Sequence, residues 1–162
     1  MKVVVLGAHQ VESATTRCTA LLIDGVLALD AGGLSSTLSL AQQERIKAIL
    51  LTHYHYDHTK DIATLGFNTA GDYTTLVVCT PLVEEMVQSH FLDGRVWPRL
   101  VEYPSPERPT IRFLTIEPGR WMELEGYRVL GVPVRHAVPT IGYQVVGPGG
   151  QSLFYTSDTG PG

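Results

Sequence analysis

Leu51-Thr52-His53-Tyr54-His55-Tyr56-Asp57-His58-Thr59-Lys60-Asp61 places three of the chain's six histidines and an aspartate within a few positions of one another. The apolar run Ile46-Lys47-Ala48-Ile49-Leu50-Leu51 leads into it and reads as the strand that delivers it. In extended backbone, residues i and i+2 point to the same side. His53 and His55 therefore leave the strand end together and can share one metal ion. Asp57 and His58 follow where the chain should turn into a helix, expected over residues 59–65. They lie close to the first pair without having to point the same way. That suits a second ion, since two-metal hydrolases hold their ions about 3.5–4 Å apart. Imidazole nitrogen and carboxylate oxygen are zinc ligands that also serve manganese and iron. A solvated histidine-rich loop is the plainer alternative, but it leaves the preceding strand and the later His136 without a reason.

Upstream, two apolar runs, residues 18–23 and 26–30, flank Asp24-Gly25, a strong hairpin signal. Asp30 ends the second run. It either accepts a hydrogen bond from a ligand imidazole, fixing its tautomer, or serves as a turn residue ahead of Gly32-Gly33. Residues 2–6 read as a buried strand, and residues 35–45 as a helix capped by Ser35 or Ser36. Downstream, residues 76–79 read as a strand. Thr80-Pro81 then opens a helix with Pro in its first turn. His9 reads as a loop residue. Asp61 and His90 read as charges suited to the start and end of helices. The proline-rich residues 97–109 form an irregular loop, a candidate wall or lid for the site. Strands follow at residues 111–116, 120–124, 127–134, 141–146 and 152–156, with Glu125-Gly126 and residues 148–150 as turns. This mixture is α+β.

His53-x-His55-x-Asp57-His58 resembles the signature of the metallo-β-lactamase-fold hydrolases. Leu29-Asp30-Ala31-Gly32-Gly33 is similar to that superfamily's early strand-end Asp-x-Gly. The segment from Val134 through His136 to Tyr143 resembles the third-motif histidine in the branch near ribonuclease Z and the cyclic-nucleotide phosphodiesterases. Phe154-Tyr155-Thr156-Ser157-Asp158-Thr159-Gly160 resembles the motif whose aspartate bridges two metals. The resemblance implies an αββα sandwich, and it spans the first half to two-thirds of such a protein. The family carries a further histidine well beyond the bridging aspartate, which these 162 residues do not include. The fold is therefore expected to be incomplete at its C-terminal side.

Carried onto matching positions, the resemblance assigns His53, His55 and His136 to a first metal, and Asp57 and His58 to a second, with Asp158 between them. Asp57 is also the candidate catalytic group, orienting the nucleophile or carrying its proton. The implied cofactors are two divalent ions, zinc ahead of manganese or iron. The run Thr59-Lys60-Asp61-Ile62-Ala63-Thr64-Leu65 after Asp57-His58 favours the phosphodiesterase side. The expected substrate is a small-molecule or nucleotide phosphodiester. In that branch the acid for the departing oxygen involves a histidine outside this sequence. A chain that binds metal without turnover is the alternative from another class, and a thioester or lactam hydrolase is a third.

Length predicts one domain over residues 1–162. A net charge of −4 argues against a broad, nonspecific nucleic-acid binder. Cys18 and Cys79 match no paired metal or redox pattern and read as small buried residues in a reducing compartment. Neither a signal peptide nor a membrane-spanning run is visible, so a cytoplasmic protein without membrane contact is expected. An exposed sheet edge is expected as well, and a homodimer contact could cover it.

Overall fold

The computed structural model describes residues 1–69 and 73–160. The first part of the chain carries strands β1 (Val3–Gly7), β2 (Ala20–Ile23) and β3 (Leu27–Leu29), then helices α1 (Leu34–Thr37) and α2 (Leu40–Gln43). Strand β4 (Ala48–Leu50), helices α3 (Tyr56–Thr59) and α4 (Asp61–Asn68), strand β5 (Thr75–Cys79) and helix α5 (Pro81–His90) follow. The rest is β: β6 (Pro104–Ser105), β7 (Arg108–Pro109), β8 (Ile111–Thr115), β9 (Trp121–Leu124), β10 (Tyr127–Val134), β11 (Thr140–Val146) and β12 (Ser152–Tyr155). The architecture is α+β.

Six strands form one sheet in the order β1-β2-β3-β4-β5-β8, and four form a second in the order β12-β11-β10-β9. In the first sheet β1, β2 and β3 pair antiparallel, while β3, β4, β5 and β8 run parallel. Parallel strands with both faces covered read as unbroken apolar runs, which is how residues 46–51 look. The faces nonetheless separate with a period of two. Ala28, Ile49, Val77 and Cys79 pack against Leu34, Ile62, Leu65 and Val83 from the helices. Leu27, Leu29, Ala48, Leu50 and Val78 meet Val129, Ile141, Tyr143 and Val145 of the second sheet. Helices, first sheet and second sheet thus stack as three layers with two apolar interfaces.

Several expectations change at their edges. Asp24-Gly25 makes the anticipated hairpin, with φ of 50° and 75°, both in the left-handed region that a two-residue I′ turn requires. Glu125-Gly126 does the same between β9 and β10. The single helix expected over residues 35–45 is two short ones. Ser39 interrupts it in extended conformation and forms a capping box with Gln42. The helix after the histidine stretch begins earlier than expected, at Tyr56, so Asp57 and His58 lie within it. β1 is an outer strand rather than a buried one, because among the described residues it pairs only with β2; Val5 is 63% exposed. The proline-rich segment does not form a wall of the histidine cluster. Tyr103 stacks on Phe67 of α4, Trp97 meets the same ring edge-on, and the short β6–β7 pair closes the loop. Its aromatics are used to cover the end of α4. No helix among the described residues is long and apolar enough to cross a membrane.

Two contacts lock the layers where the site will form. Tyr143 is fully buried on β11, and its hydroxyl lies 3.0 Å from the Leu51 carbonyl and 3.1 Å from that of Val78. The Ile141 amide donates to the Thr52 carbonyl at 3.1 Å. The second sheet is therefore hydrogen-bonded to the backbone that carries the histidines. Tyr143→Phe keeps the ring and leaves these carbonyls short of a donor. We expect a loss of about 1–3 kcal/mol, read as a lower urea midpoint with an unchanged m-value; an unchanged midpoint would show that the stitch contributes nothing.

Candidate metal centre

The side chains singled out in sequence converge at one edge of the sandwich, brought by the stretch after β4, by α3, by the β10–β11 turn and by the segment after β12. Residues 51–55 leave β4 without regular structure, and His55 remains extended with φ −63° and ψ 147°. The alternation holds, so His53 and His55 face the same way: His53 Nε2 lies 3.0 Å from His55 Nδ1. His136 arrives on the turn joining β10 to β11, and its Nε2 is 3.3 Å from the same His55 nitrogen. Asp158 follows β12, and the Gly160 amide donates to the Arg135 carbonyl at 2.7 Å, tying its loop to that of His136.

Among the described residues, two groups each bring potential ligand atoms within 4.8 Å of one another: His53, His55 and His136, and His53, His58 and Asp158. The Asp158 carboxylate faces both, with one oxygen 3.5 Å from His58 Nε2 and the other 3.9 Å from His136 Nε2. Asp57 Oδ2 is also 3.5 Å from His58 Nε2. Asp57 therefore borders the second group, while His53 is common to both. His9 stands outside them, exposed at the surface.

Behind the cluster sits Asp30, fully buried, with φ of +57°. Its carboxylate accepts from the Thr52 amide at 2.9 Å, from the Thr52 hydroxyl at 3.0 Å and from the Tyr155 hydroxyl at 2.8 Å, and it lies 2.8 Å from His58 Nδ1. Of the two readings the sequence left open, the imidazole-holding one describes its contacts. Asp30 is also left-handed, as a turn residue would be. Because a carboxylate accepts, His58 Nδ1 carries a proton, and in the neutral ring Nε2 presents its lone pair to the cluster. The Thr52 hydroxyl gives its single proton to Asp30. It accepts from Ser157 at 2.8 Å and can accept from His53 Nδ1 at 2.9 Å, which turns His53 Nε2 toward the cluster as a lone pair too. Thr52, Tyr155 and Ser157 were not anticipated. Thr52 and Ser157 directly precede His53 and Asp158, but Tyr155 is recognisable only once β12 is placed over the first sheet.

Glycine makes the tight approach possible. A Cβ on Gly32 would run into the Asp57 carbonyl, with Cys18 and Thr19 close by. The Ala31 amide donates to the His58 carbonyl at 2.7 Å and the Asp61 amide to the Ala31 carbonyl at 2.8 Å, so the loop after β3 clasps the α3–α4 junction. Asp61 is more than a favourable charge at a helix start. It is buried, accepts the Ser35 amide at 2.7 Å and pairs with Lys60 at 2.8 Å.

The electrostatics fit a cation. Burial, followed by the charge of His58, pushes the His53 imidazole down to about 4, so it is neutral at pH 7. Burial opposes protonation at His58 as well, but the Asp30 hydrogen bond and the charges of Asp30, Asp57 and Asp158 outweigh it and raise its pKa. His58 Nε2 is nevertheless buried without a hydrogen-bond partner. Lone pairs converging at about 3 Å beside carboxylates, with one buried nitrogen unserved, form a donor set suited to divalent ions. An exposed cavity of about 430 Å³ opens onto it between Gln10, His136, Ser157, Asp158 and Thr159.

Residues 19–162 match the model of a family described as the β-lactamase superfamily domain. Among solved structures, the metallo-β-lactamase fold protein YhfI from Bacillus subtilis is similar at a TM-score of 0.75 and 18% identity, over 99% of this chain and 63% of that one. Unliganded yeast PDE1 is similar at 0.75 and 15%, over 94% of this chain and 63% of that one. Human tRNase Z, short form, is similar at 0.68 and 17%, over 98% of this chain and 69% of that one. The chain thus spans less than two thirds of the length of the first two. No curated protein matches it.

The Asp30 network predicts how the cluster responds to a single change. Asp30→Asn keeps the shape but can place an amide donor against His58 or the Thr52 amide. Zinc affinity, measured by competition with a chromogenic chelator, should fall by ~10–100-fold. Unchanged affinity would mean that Asp30 does not orient His58.

Proposed function

The chain belongs to the β-lactamase superfamily domain family, and from that premise we propose that it is a metal-dependent hydrolase acting on phosphodiester bonds. The observation that carries the reading is the pair of overlapping ligand groups sharing His53, with Asp158 set between His58 and His136. His53, His55 and His136 would hold one ion, His58 and Asp57 a second, and Asp158 both. Zinc is the first choice for this nitrogen-rich set, with manganese or iron as alternatives. Bound there, two ions would supply the Lewis acidity that makes water acidic near neutral pH and polarises a phosphoryl oxygen.

The protein's own groups do the rest. Asp57, partly exposed beside the cluster in the first turn of α3, would orient the attacking water and take up its proton. Asp30 and Thr52 hold His58 and His53 in the tautomers that leave Nε2 free. The phosphodiesterase side of the family is preferred for the run that follows Asp57-His58 and for the His136-to-Tyr143 segment. The likeness in fold to yeast PDE1 and human tRNase Z accords with it.

Elemental analysis of protein purified without chelator should find about two divalent ions per chain, and fewer in His53→Ala, the residue common to both groups. The loaded protein should hydrolyse bis(p-nitrophenyl) phosphate, lose that activity to a chelator and regain it with zinc. Turnover of acyl or lactam substrates alone would overturn the phosphodiester reading. Metal content no higher than in His53→Ala would overturn the metal centre itself.

A further inference from the structure

The histidine stretch alternates metal-capable residues with aromatic ones, and the proposed reaction does not use the aromatics. Tyr54 sits between His53 and His55, with its ring 6.1 Å from that of His55 and nearly perpendicular to it. Tyr56 directly precedes Asp57 and is 69% exposed. Its ring stands edge-on to Phe91, 6.3 Å away, just past the end of α5. Together with Thr59, Met86 and His90 these rings line a cavity of about 200 Å³.

Tyr56 and Thr59 are three residues apart on α3 and so share a face. That face looks toward α5, while Asp57 and His58 look toward the cluster. The cavity and the metal centre therefore flank the same short piece of chain, and the nearest link between them is Tyr54, a wall of the cavity whose ring lies 6.1 Å from that of His55. A volume of about 200 Å³ is below the ~300–1,000 Å³ of sites that enclose a whole ligand. It accommodates a fragment of one. Its walls include three aromatic rings and a thioether, with Val87, Thr59 and the His90 imidazole beside them, and the rings and thioether favour a flat π-face. An exposed tyrosine against a phenylalanine edge offers the open platform on which planar rings stack.

We propose that the cavity formed by Tyr54, Tyr56, Met86, His90 and Phe91 is a subsite for one planar aromatic ring of the substrate's organic part, next to the proposed metal centre. The proposal rests on the metallo-hydrolase reading for the position of the phosphoryl group. A nucleobase and a simple aryl ester share this chemistry.

Binding tests it without turnover. Methyl phosphate, phenyl phosphate and adenosine monophosphate are titrated calorimetrically into zinc-loaded protein and into Tyr56→Ala and Tyr56→Phe. A ring-bearing phosphate should bind about tenfold more tightly than methyl phosphate. That gap should close in Tyr56→Ala and persist in Tyr56→Phe, whose ring is retained. A gap for phenyl phosphate alone assigns an aryl ester, and a gap for adenosine monophosphate assigns a nucleotide. No ring-dependent gap in the unaltered protein, a gap that survives Tyr56→Ala, or one lost equally in Tyr56→Phe overturns the subsite. The hydrolase reading fails separately, by absence of bis(p-nitrophenyl) phosphate turnover, and the ring preference in binding is read either way.

Discussion

The buried carboxylate of Asp30 joins the parts of the structure that matter for chemistry. It gathers donors from the loop after β4, from α3 and from β12, which sit in three different layers or loops. A carboxylate fully removed from water is costly unless its lone pairs are occupied. Here they are met by an amide, two hydroxyls and an imidazole. Satisfying that one group obliges Thr52, His58 and Tyr155 to take fixed places, and the tautomers of His53 and His58 follow. The left-handed backbone at Asp30 is a local strain of about 1–3 kcal/mol, and the network holds it in place.

The same constraint explains why small residues follow. Gly32 passes against the Asp57 carbonyl where no side chain would fit, and Ala31 exchanges backbone bonds with both His58 and Asp61. Lys60 bonds Asp61 and reaches back to Glu12 at 3.0 Å, so the loop after β1 is drawn toward the same junction. Rigid support of this kind matters for a centre assembled from loops, because ligand atoms must stay within a few tenths of an ångström of their working positions. The second sheet contributes by being bonded directly to residues 51 and 52 through Tyr143 and Ile141 rather than only packed on them.

Much of the site was legible because its residues are close in sequence. His53 and His55 share a side by the period of extended backbone, and the structure keeps that relation. His136 and Asp158 lie far along the chain, and only their resemblance to family motifs marked them. The surrounding network was less visible. Thr52, Ser157 and Tyr155 are common residue types, and the roles of the first two depend on which way a hydroxyl points. The helix boundaries moved because Tyr56 could start a turn as well as Thr59, and because Ser39 capped a new helix within what periodicity reads as one. β1 differs for a related reason: three consecutive valines look buried, but burial depends on what lies on both sides of a strand, and among the described residues only β2 pairs with it.

Local chemistry in the sequence by itself determined the α+β alternation, the two left-handed hairpin turns and the pairing of metal-capable side chains on one strand end. These depend on backbone sterics and side-chain period, which act over a few residues. Tertiary structure alone decided that His53 faces both ligand groups, that His58 is the imidazole Asp30 meets, that Tyr155 and Thr52 complete that contact, and that the proline-rich loop covers α4 instead of the site. Each of those is set by how layers from distant parts of the chain stack and satisfy one another's buried polar groups, and no short stretch of sequence carries that information.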